Sequence, residues 1–284
     1  MLNCLSFDIE GFVESNMQSF TINKSYINRK REIYEIEKNV DSILELLNDF
    51  NCKATFFFLN SVTYDLPNVV KKVSKLGHEI ALHGPEHTRI FDLSKIEFSK
   101  KLICAKKELE NIISKPVYGF RAPEFSITQT SLWALDILQK ADFTYDSSIY
   151  PFGFHDVYGM KNTQPFIYKL QNGLIEFPLS TIGFFGKRFP FGGGGYFRLY
   201  PLFFTEIFLK KINKLGHPCM LYIHPYEIGS IIPKIPTLSW YRKLRHYYNC
   251  KNGCTRLKKI LSEFKFSTAI DVLANEKKLE VKNV

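Results

Sequence analysis

Short apolar runs alternate with longer amphipathic stretches along most of the chain, which is the pattern of repeated strand and helix units. Seven of the apolar runs are predicted as strands because each is short and nearly continuously hydrophobic, as buried parallel strands are. They are Asn3–Phe7, Ala54–Leu59, Glu79–Leu82, Val117–Arg121, Phe143–Asp146, Leu174–Pro178 and Cys219–His224. The pattern therefore predicts an α/β protein with a parallel sheet or barrel.

Most stretches between these runs have apolar residues at helical spacing. In Glu32–Phe50 they recur every three or four positions, and acidic residues gather towards the start. Helices are also predicted at Pro67–Leu76, Ser94–Ile113, Ser131–Ala141 and Pro201–Leu215. Two segments rich in Gly, Pro and aromatic residues, 150–171 and 181–200, interrupt the pattern and are expected to be loops that wall a site.

The 284 residues contain no internal repeat, low-complexity tract or Ser-rich linker, and 45% hydrophobic with 23% charged residues exclude disordered and coiled-coil classes. We expect residues 1–240 to form the barrel and residues 241–284 to form a basic, helical extension packed on it. That extension carries a net +7 of the total +10. A solvated helical face is the simpler interpretation. The alternative is peripheral contact with a membrane or an anionic glycan; no nucleic-acid partner is predicted.

The N-terminal segment has carboxylates at positions 8 and 10, no basic region and no long apolar run, so it is not interpreted as a signal peptide. No window of the chain reaches 18 uninterrupted apolar residues. The expected compartment is the cytoplasm, and the six scattered cysteines are expected to be reduced.

Ionisable residues stand at the C-terminal ends of the predicted strands, where α/β barrels carry their functional groups. They are Asp8, Glu10, His83, His87, Arg121, Asp146 and His224. The two histidines of the third strand are four residues apart and can face one ion. A carboxylate from the first strand, Glu10 or Asp8, would complete a set of two His and one carboxylate that leaves positions open for water and substrate.

The order and spacing of four segments resemble the motifs of polysaccharide deacetylases, the NodB-like domain of carbohydrate esterase family four. They are Ser6–Gly11, His83–His87, Arg121–Pro123 and Leu221–Pro225. Four further segments resemble the branch found with bacterial exopolysaccharide and protein-sorting loci. They are Ala54–Phe57, Gly77–Ile80, Tyr145–Ser148 and Gly194–Arg198. The resemblance runs from about Leu5 to Phe266. It implies a deformed (β/α)7 barrel with loop insertions, a divalent ion, and hydrolysis of an N-acetyl group on a sugar.

With this resemblance, Glu10, His83 and His87 are assigned as ligands of one divalent ion. Zn²⁺ is the first expectation, and Ni²⁺, Co²⁺ or Fe²⁺ would suit the same donors. Asp8 would then act as general base on water, and Arg121 would hold it ionised and oriented.

The remaining roles concern the leaving group and the sugar. His224 would protonate the leaving amine, and Asp146 would either keep His224 charged or cap the turn that follows it. By analogy with the family, the backbone N–H of Glu124 is the candidate oxyanion donor, with Phe125 beside it. Residues of the two long loops are candidate sugar contacts: His155, Asp156 and Arg198.

Two positions depart from the commoner family pattern. The second acid of the first motif is Glu10, one residue further along than usual, so Asp8 could be the ligand instead. Glu124 stands between the third motif's proline and its aromatic residue, Phe125. Two other functions stay open: a C–N hydrolase resembling allantoinases that acts on a cyclic amide or ureide, and a non-catalytic glycan-binding barrel. The sugar, the acyl group and the oligomeric state are not predicted.

Overall fold

The structure is a computed structural model that describes residues 1–14, 16, 28–153, 159–235, 238–276 and 279–282, with the backbone alone at 241, 242 and 245. Its strands are β1 (Leu2–Ile9), β2 (Thr55–Phe58), β3 (Glu79–Leu82), β4 (Gly119–Phe120), β5 (Tyr145–Asp146), β6 (Tyr168–Leu170), β7 (Ile175–Glu176), β8 (Thr181–Phe184), β9 (Lys187–Pro190), β10 (Met220–Ile223), β11 (Lys265–Ser267) and β12 (Val281–Lys282). All seven predicted strands are present.

The seven predicted strands form one parallel array in the order β10-β1-β2-β3-β4-β5-β7. Beyond β7 the sheet continues through β6, which is antiparallel to β7, and then β12. The predicted deformed (β/α) barrel is confirmed.

Helices connect and cover these strands. They are α1 (Arg29–Asp49), α2 (Asn60–Asp65), α3 (Pro67–Lys75), α4 (Lys95–Ile113), α5 (Trp133–Lys140), α6 (Gly194–Leu199), α7 (Leu202–Lys214), α8 (Pro225–Ile228), α9 (Trp240–Tyr247), α10 (Gly253–Glu263) and α11 (Ala269–Asn275), with 3-10 turns at Ile90–Asp92, Pro123–Phe125 and Cys250–Asn252. The α1 helix starts where the Asn28 side chain accepts a hydrogen bond from the backbone N–H of Arg31. Among the described residues, no helix combines the length and apolarity needed to span a bilayer.

Side chains alternate between the two faces of each strand, and this alternation decides which residues reach the inside of the barrel. Along β1, Leu5 and Phe7 belong to the large core between the sheet and the helices, whereas Cys4 belongs to a second core inside the barrel. Asp8 and Glu10 follow Cys4 at even spacing and therefore share its inward face.

The segment that contains β8, β9, α6 and α7 lies between β7 and β10 in the sequence, where the barrel would close. Two backbone N–H groups of β10 bond to it: Met220 donates to Ser180 Oγ and Tyr222 donates to the Gly192 carbonyl, both at 2.8 Å. The expectation that residues 181–200 form a loop is wrong, because β8 and β9 form an antiparallel hairpin and α6 follows it.

The described part of the segment predicted as an extension, residues 241–284, contains most of α9 together with α10 and α11, and it also adds β11 and β12 to the sheet. Its β11 pairs in parallel with the first half of β1, with Leu2 opposite Lys265 and Cys4 opposite Ser267. The second half of β1 pairs with β2. The basic C-terminal segment is thus a structural part of the barrel, while a domain boundary at residue 240 stays a prediction. All six cysteines are free.

Candidate active site

A cleft of ≈ 330 Å³ opens at the C-terminal ends of the parallel strands. Its lining includes most of the predicted site residues together with several others: Asp8, Glu10, Asn16, His83, His87, Glu124, Phe125, Gly195, Tyr196, Arg198, Leu199, Tyr222, His224, Tyr226, Glu227 and His246. The strand ends therefore converge as the sequence predicts for an α/β barrel.

Three imidazole rings face the carboxylate of Glu10. Its Oε2 lies 2.9 Å from His83 Nε2 and 3.3 Å from His87 Nε2, and its Oε1 lies 3.3 Å from His224 Nε2. One ligand atom each from Glu10, His83 and His87 lies within 4.8 Å of the others. This is the pair of histidines and one carboxylate that the spacing predicts.

The His83 ring is held so that its Nε2 faces the carboxylate with a lone pair. Its Nδ1 lies 3.0 Å from the backbone carbonyl of Arg121, which can only accept, so Nδ1 carries the proton in the neutral ring. Glu10 Oε2 is buried and accepts no hydrogen bond of normal geometry in the described structure. An orphaned carboxylate oxygen beside an imidazole lone pair fits a divalent cation with nitrogen and oxygen ligands.

Charge balance within this group favours an ionised Glu10. Burial raises the pKa of Glu10. The charge of His87 and the side-chain contacts with the three imidazoles together outweigh the effect of burial and hold the pKa well below its usual value. Burial lowers the pKa of His87, and the charge of Glu10 more than reverses this. Without a metal, protons on His87 and His224 supply the positive charge that the carboxylate needs.

Asp8 lies beside this group and has its own partner. It is almost fully buried, and its Oδ1 accepts a hydrogen bond of 2.6 Å from Arg121 Nη1. The guanidinium also donates to Ser6 Oγ at 2.9 Å and to Ser147 Oγ at 3.0 Å, and it lies 4.0 Å from the centre of the Phe57 ring. The bonds to the two serines hold the guanidinium in place, and its Nη1 donor then fixes the position of the Asp8 carboxylate.

On the other side of Glu10, a buried ion pair supports His224. Glu227 Oε2 lies 3.1 Å from His224 Nδ1 and accepts the backbone N–H of His224 at 2.8 Å. Its Oε1 accepts from Arg198 Nε at 2.8 Å, and both partners are nearly inaccessible to solvent. Burial lowers the pKa of His224, but hydrogen bonds to Glu10 and Glu227 raise it to about 10.

Glu227 was not predicted from the sequence, although a local signal was present. His224 is the N-cap of α8, Pro225 is its first residue, and Glu227 at the third position accepts the N-cap backbone N–H. This is a capping box, in which an acid three residues after the cap reaches back to it. Burial raises the pKa of Glu227, but the charge of Arg198 and the bond from His224 lower it to about 2.

Asp146 lies on the outer face of the sheet, away from His224. It pairs in register with Phe120 of β4 and Glu176 of β7, and Phe120 belongs to the core between sheet and helices. The Asp146 carboxylate accepts from Ser148 Oγ at 2.6 Å and from the backbone N–H of Ser148 at 3.2 Å. Of the two roles predicted for Asp146, these contacts are those of a residue that caps the following turn. The carboxylate that lies next to His224 Nδ1 in the described structure belongs to Glu227.

The other predicted residues have mixed placements. Glu124 lines the cleft with φ of 49°, and its side chain accepts from Arg89 Nη2 at 2.8 Å. Phe125 lines the cleft and packs edge-on against Tyr222. Arg198 is only 2% exposed, and its guanidinium donates to Glu227, which in turn contacts His224. Its described contacts therefore position His224, and its predicted role as a sugar contact stays a prediction. His155 and Asp156 lie outside the described residues.

Comparisons with known proteins bear on the family and on the fold. A family model described as polysaccharide deacetylase matches residues 17–145, and one described as a domain of unknown function (DUF3473) matches residues 147–274. A peptidoglycan-N-acetylglucosamine deacetylase of Bacillus cereus is 30% identical over 95 residues, which are 33% of this chain and 34% of that protein. The chain thus matches about a third of the length of this curated relative.

Among solved structures, a putative polysaccharide deacetylase from Mycobacterium smegmatis superposes with a TM-score of 0.66 at 16% identity, over 100% of this chain and 93% of that one. The Puue allantoinase superposes with a TM-score of 0.63 at 15% identity, over 96% and 89%. These two likenesses show the fold. With the family model, they lead to one conclusion: residues 17–145 match a polysaccharide deacetylase domain, and the whole chain has the fold of these solved structures.

Proposed function

We propose that this protein is a metal-dependent hydrolase that removes an N-acetyl group from a sugar of a bacterial surface polysaccharide or its precursor. The single observation that supports this most strongly is the meeting of Glu10, His83 and His87 in one cleft with Asp8 and His224 on either side. A pure binding protein has no need of a base and an acid around one carboxylate and two imidazoles.

The proposed metal ligands are Glu10, His83 and His87, with Zn²⁺ as the first candidate and Ni²⁺, Co²⁺ or Fe²⁺ as alternatives. A divalent cation there would supply the Lewis acidity that polarises an acetyl carbonyl and makes water acidic near neutral pH. Glu10 rather than Asp8 is proposed as the carboxylate ligand, since Glu10 faces both histidines and Asp8 faces Arg121.

Asp8 is the proposed general base. Its Oδ1 is bound to Arg121 at 2.6 Å, which gives the carboxylate a counter-charge and a fixed orientation beside the proposed metal ligands. It would accept the proton of the attacking water. The backbone N–H of Glu124, in the cleft wall, is proposed to stabilise the oxyanion as attack proceeds.

His224 is the proposed general acid. The carboxylate of Glu227 beside Nδ1 raises the pKa of His224 and favours the protonated ring, so His224 would hold a proton for the leaving amine. Its ring stacks on Tyr226 with centroids 5.5 Å apart, which restricts its rotation. Glu227 and Arg198 are positioning residues in this scheme, because they act through His224.

The experiment measures bound metal and released acetate on the same preparations of wild type, Asp8→Asn and His83→Ala, with a panel of N-acetylated sugars. Wild type should contain about one divalent ion and release acetate. Asp8→Asn should retain the metal and lose at least about a hundredfold in kcat, the order of a general-base contribution. His83→Ala should lose the metal.

His217→Ala is the matched control, because His217 stacks on Phe166 with ring centroids 3.7 Å apart and does not line the cleft. It should retain both metal and turnover. Metal without acetate release, together with hydrolysis of allantoin, would favour the cyclic-amide hydrolase instead. Absence of metal after reconstitution would overturn the proposed site and favour a glycan-binding barrel.

A further inference from the structure

An exposed aromatic surface lies on the β8–β9 hairpin and the first half of α7. We call it the aromatic patch, and its members are Phe184, Phe185, Phe189, Phe203, Phe204 and Ile207, all of them exposed. A groove of ≈ 560 Å³ runs between the hairpin and the helix. Soluble proteins seldom expose a continuous apolar surface of this kind unless it binds something.

The hairpin turn presents Phe185 at a conformational cost. Phe184 pairs with Lys187, so Phe185 and Gly186 form a two-residue turn with φ of 48° and 72°. Such turns favour Asn-Gly or Asp-Gly, because a bulky side chain is strained at positive φ. Phe185 is nevertheless fully exposed, at 103%. The fold therefore gains no burial from this ring, which points to a role outside the folded chain.

Buried Phe208 of α7 contacts rings of the aromatic patch from both the hairpin and the helix. Phe184 lies 6.0 Å from Phe208, Phe204 lies 5.9 Å from Phe208, and Phe203 lies 4.1 Å from Phe204, measured between ring centroids. Hairpin and helix therefore present one continuous apolar surface with Phe185 at its tip.

Basic residues surround this surface. The groove lining includes Lys187 and no acidic residue, and Lys211 Nζ lies 4.7 Å from the centre of the Phe184 ring. Arg188 follows on β9, whereas Lys210 of α7 pairs with Glu263 of α10 at 3.5 Å and is not counted among the cations of the patch. Glu206, the acid of α7, is not part of the groove lining.

We propose that the aromatic patch docks on an anionic lipid bilayer, with Phe185 inserted among the acyl chains and the surrounding Lys and Arg residues at the phosphate groups. Aromatic rings flanked by cations are the composition of protein surfaces at the membrane interface. A second copy of the chain is a poorer occupant, because a two-fold contact would place the same cations against each other.

The patch adjoins the catalytic cleft. Leu199 at the end of α6 lines the cleft, and the next residue, Tyr200, lines the groove of the patch. Docking would therefore bring the cleft close to the membrane surface. If the proposed deacetylase function holds, on which this consequence rests, the substrate is an N-acetylated glycan attached to a lipid or lying against the membrane.

The test measures binding of the full chain to sedimented vesicles, either of equal parts phosphatidylglycerol and phosphatidylcholine or of phosphatidylcholine alone. Wild type should bind the anionic vesicles more tightly. Phe185→Ser should weaken binding about tenfold or more, the effect of removing one buried Phe side chain. Lys187→Gln should weaken binding to anionic vesicles about fivefold, the effect of one surface cation.

The matched control is Tyr64→Ser, which removes an aromatic ring that is 82% exposed on α2. It should bind vesicles as wild type does. Equal binding by Phe185→Ser and wild type, or absence of vesicle binding by wild type, would overturn the proposal. A wild-type oligomer that Phe185→Ser dissociates, without vesicle binding, would do so too and would identify a second copy as the occupant. Vesicle binding needs no turnover, so its outcome is independent of the acetate assay.

Discussion

Substitution of two adjacent glycines of α6, Gly194 and Gly195, by alanine should change the free energy of unfolding in opposite directions. A Cβ on Gly194 would overlap the carboxylate of Glu227, whereas a Cβ on Gly195 would have nothing within 4 Å. Both residues have helical neighbours in Gly194–Leu199, so the change in helix propensity is similar at the two sites. The pair therefore isolates the contact with Glu227.

The magnitude follows from how firmly Glu227 is held. Its carboxylate cannot move aside without losing the 2.8 Å bonds from Arg198 and from the His224 backbone. Overpacking typically costs about 1–3 kcal/mol, and a charge-assisted hydrogen bond contributes about 1.5–3 kcal/mol. We expect Gly194→Ala to lower the free energy of unfolding by about 2–4 kcal/mol. Gly195→Ala should raise it by up to about 1 kcal/mol, since alanine favours the helix.

Thermal and urea unfolding of the two variants measure these changes. In a chain of this size the values correspond to a Tm lower by roughly 4–15 °C for Gly194→Ala and slightly higher for Gly195→Ala. A double variant, Gly194→Ala with Glu227→Asp, should lose less than the sum of the single changes, because the shorter acid relieves the overlap. If Gly194→Ala is as stable as wild type, the close packing of α6 on the buried ion pair is refuted.

Three further outcomes are expected. Burial raises the pKa of Asp146 to about 6 and that of Glu176 well above its usual value, so the folded chain holds protons that the unfolded chain releases above about pH 4. The free energy of unfolding should fall as the pH rises from about 4 to 6, and Glu176→Gln should reduce this fall, measured by urea unfolding at a series of pH values. Zn²⁺ added after chelation should raise the Tm of wild type and increase its free energy of unfolding by about 2.7 kcal/mol at a hundred times its Kd, with no such effect on His83→Ala. A thiol reagent without denaturant should modify exposed Cys104 first and Cys254 more slowly, while mass spectrometry finds the four buried thiols intact; rapid reaction of all six would contradict the burial described.

Much of the barrel could be predicted because its strands are short apolar runs separated by amphipathic helices, a pattern that depends on neighbours along the chain. The ionisable residues at the strand ends could be found for the same reason. Which face of the sheet a side chain occupies depends on the alternation along the strand and not on residue type. Tyr145 belongs to the core inside the barrel, so the next residue, Asp146, points outwards. A strand-end position therefore identified Asp146 as a candidate but did not determine which side of the sheet it faces.

The surroundings of His224 could not be predicted from local pattern alone. Gly194 approaches Glu227 across 33 positions of sequence only because the segment after β9 closes against β10. The hairpin β8–β9 was missed because Phe185 occupies a turn position where Asn or Asp would have given a hairpin signal. Where sequence departs from local preference in this way, only the three-dimensional structure shows what the residues contact.

The pairing of β11 with β1 also bears on how the chain folds during synthesis. Asn3 donates to the Lys265 carbonyl across 262 positions, and β1, which leads to Asp8 and Glu10, lies between β10 and β11 along its first half. Contacts of such long sequence separation form late, because the ribosome must release both partners before they can meet. A nascent chain that has completed β2 to β7 still lacks β10 on one side of β1 and β11 on the other. The two carboxylates are therefore brought into a fully supported barrel only after β11 has been synthesised.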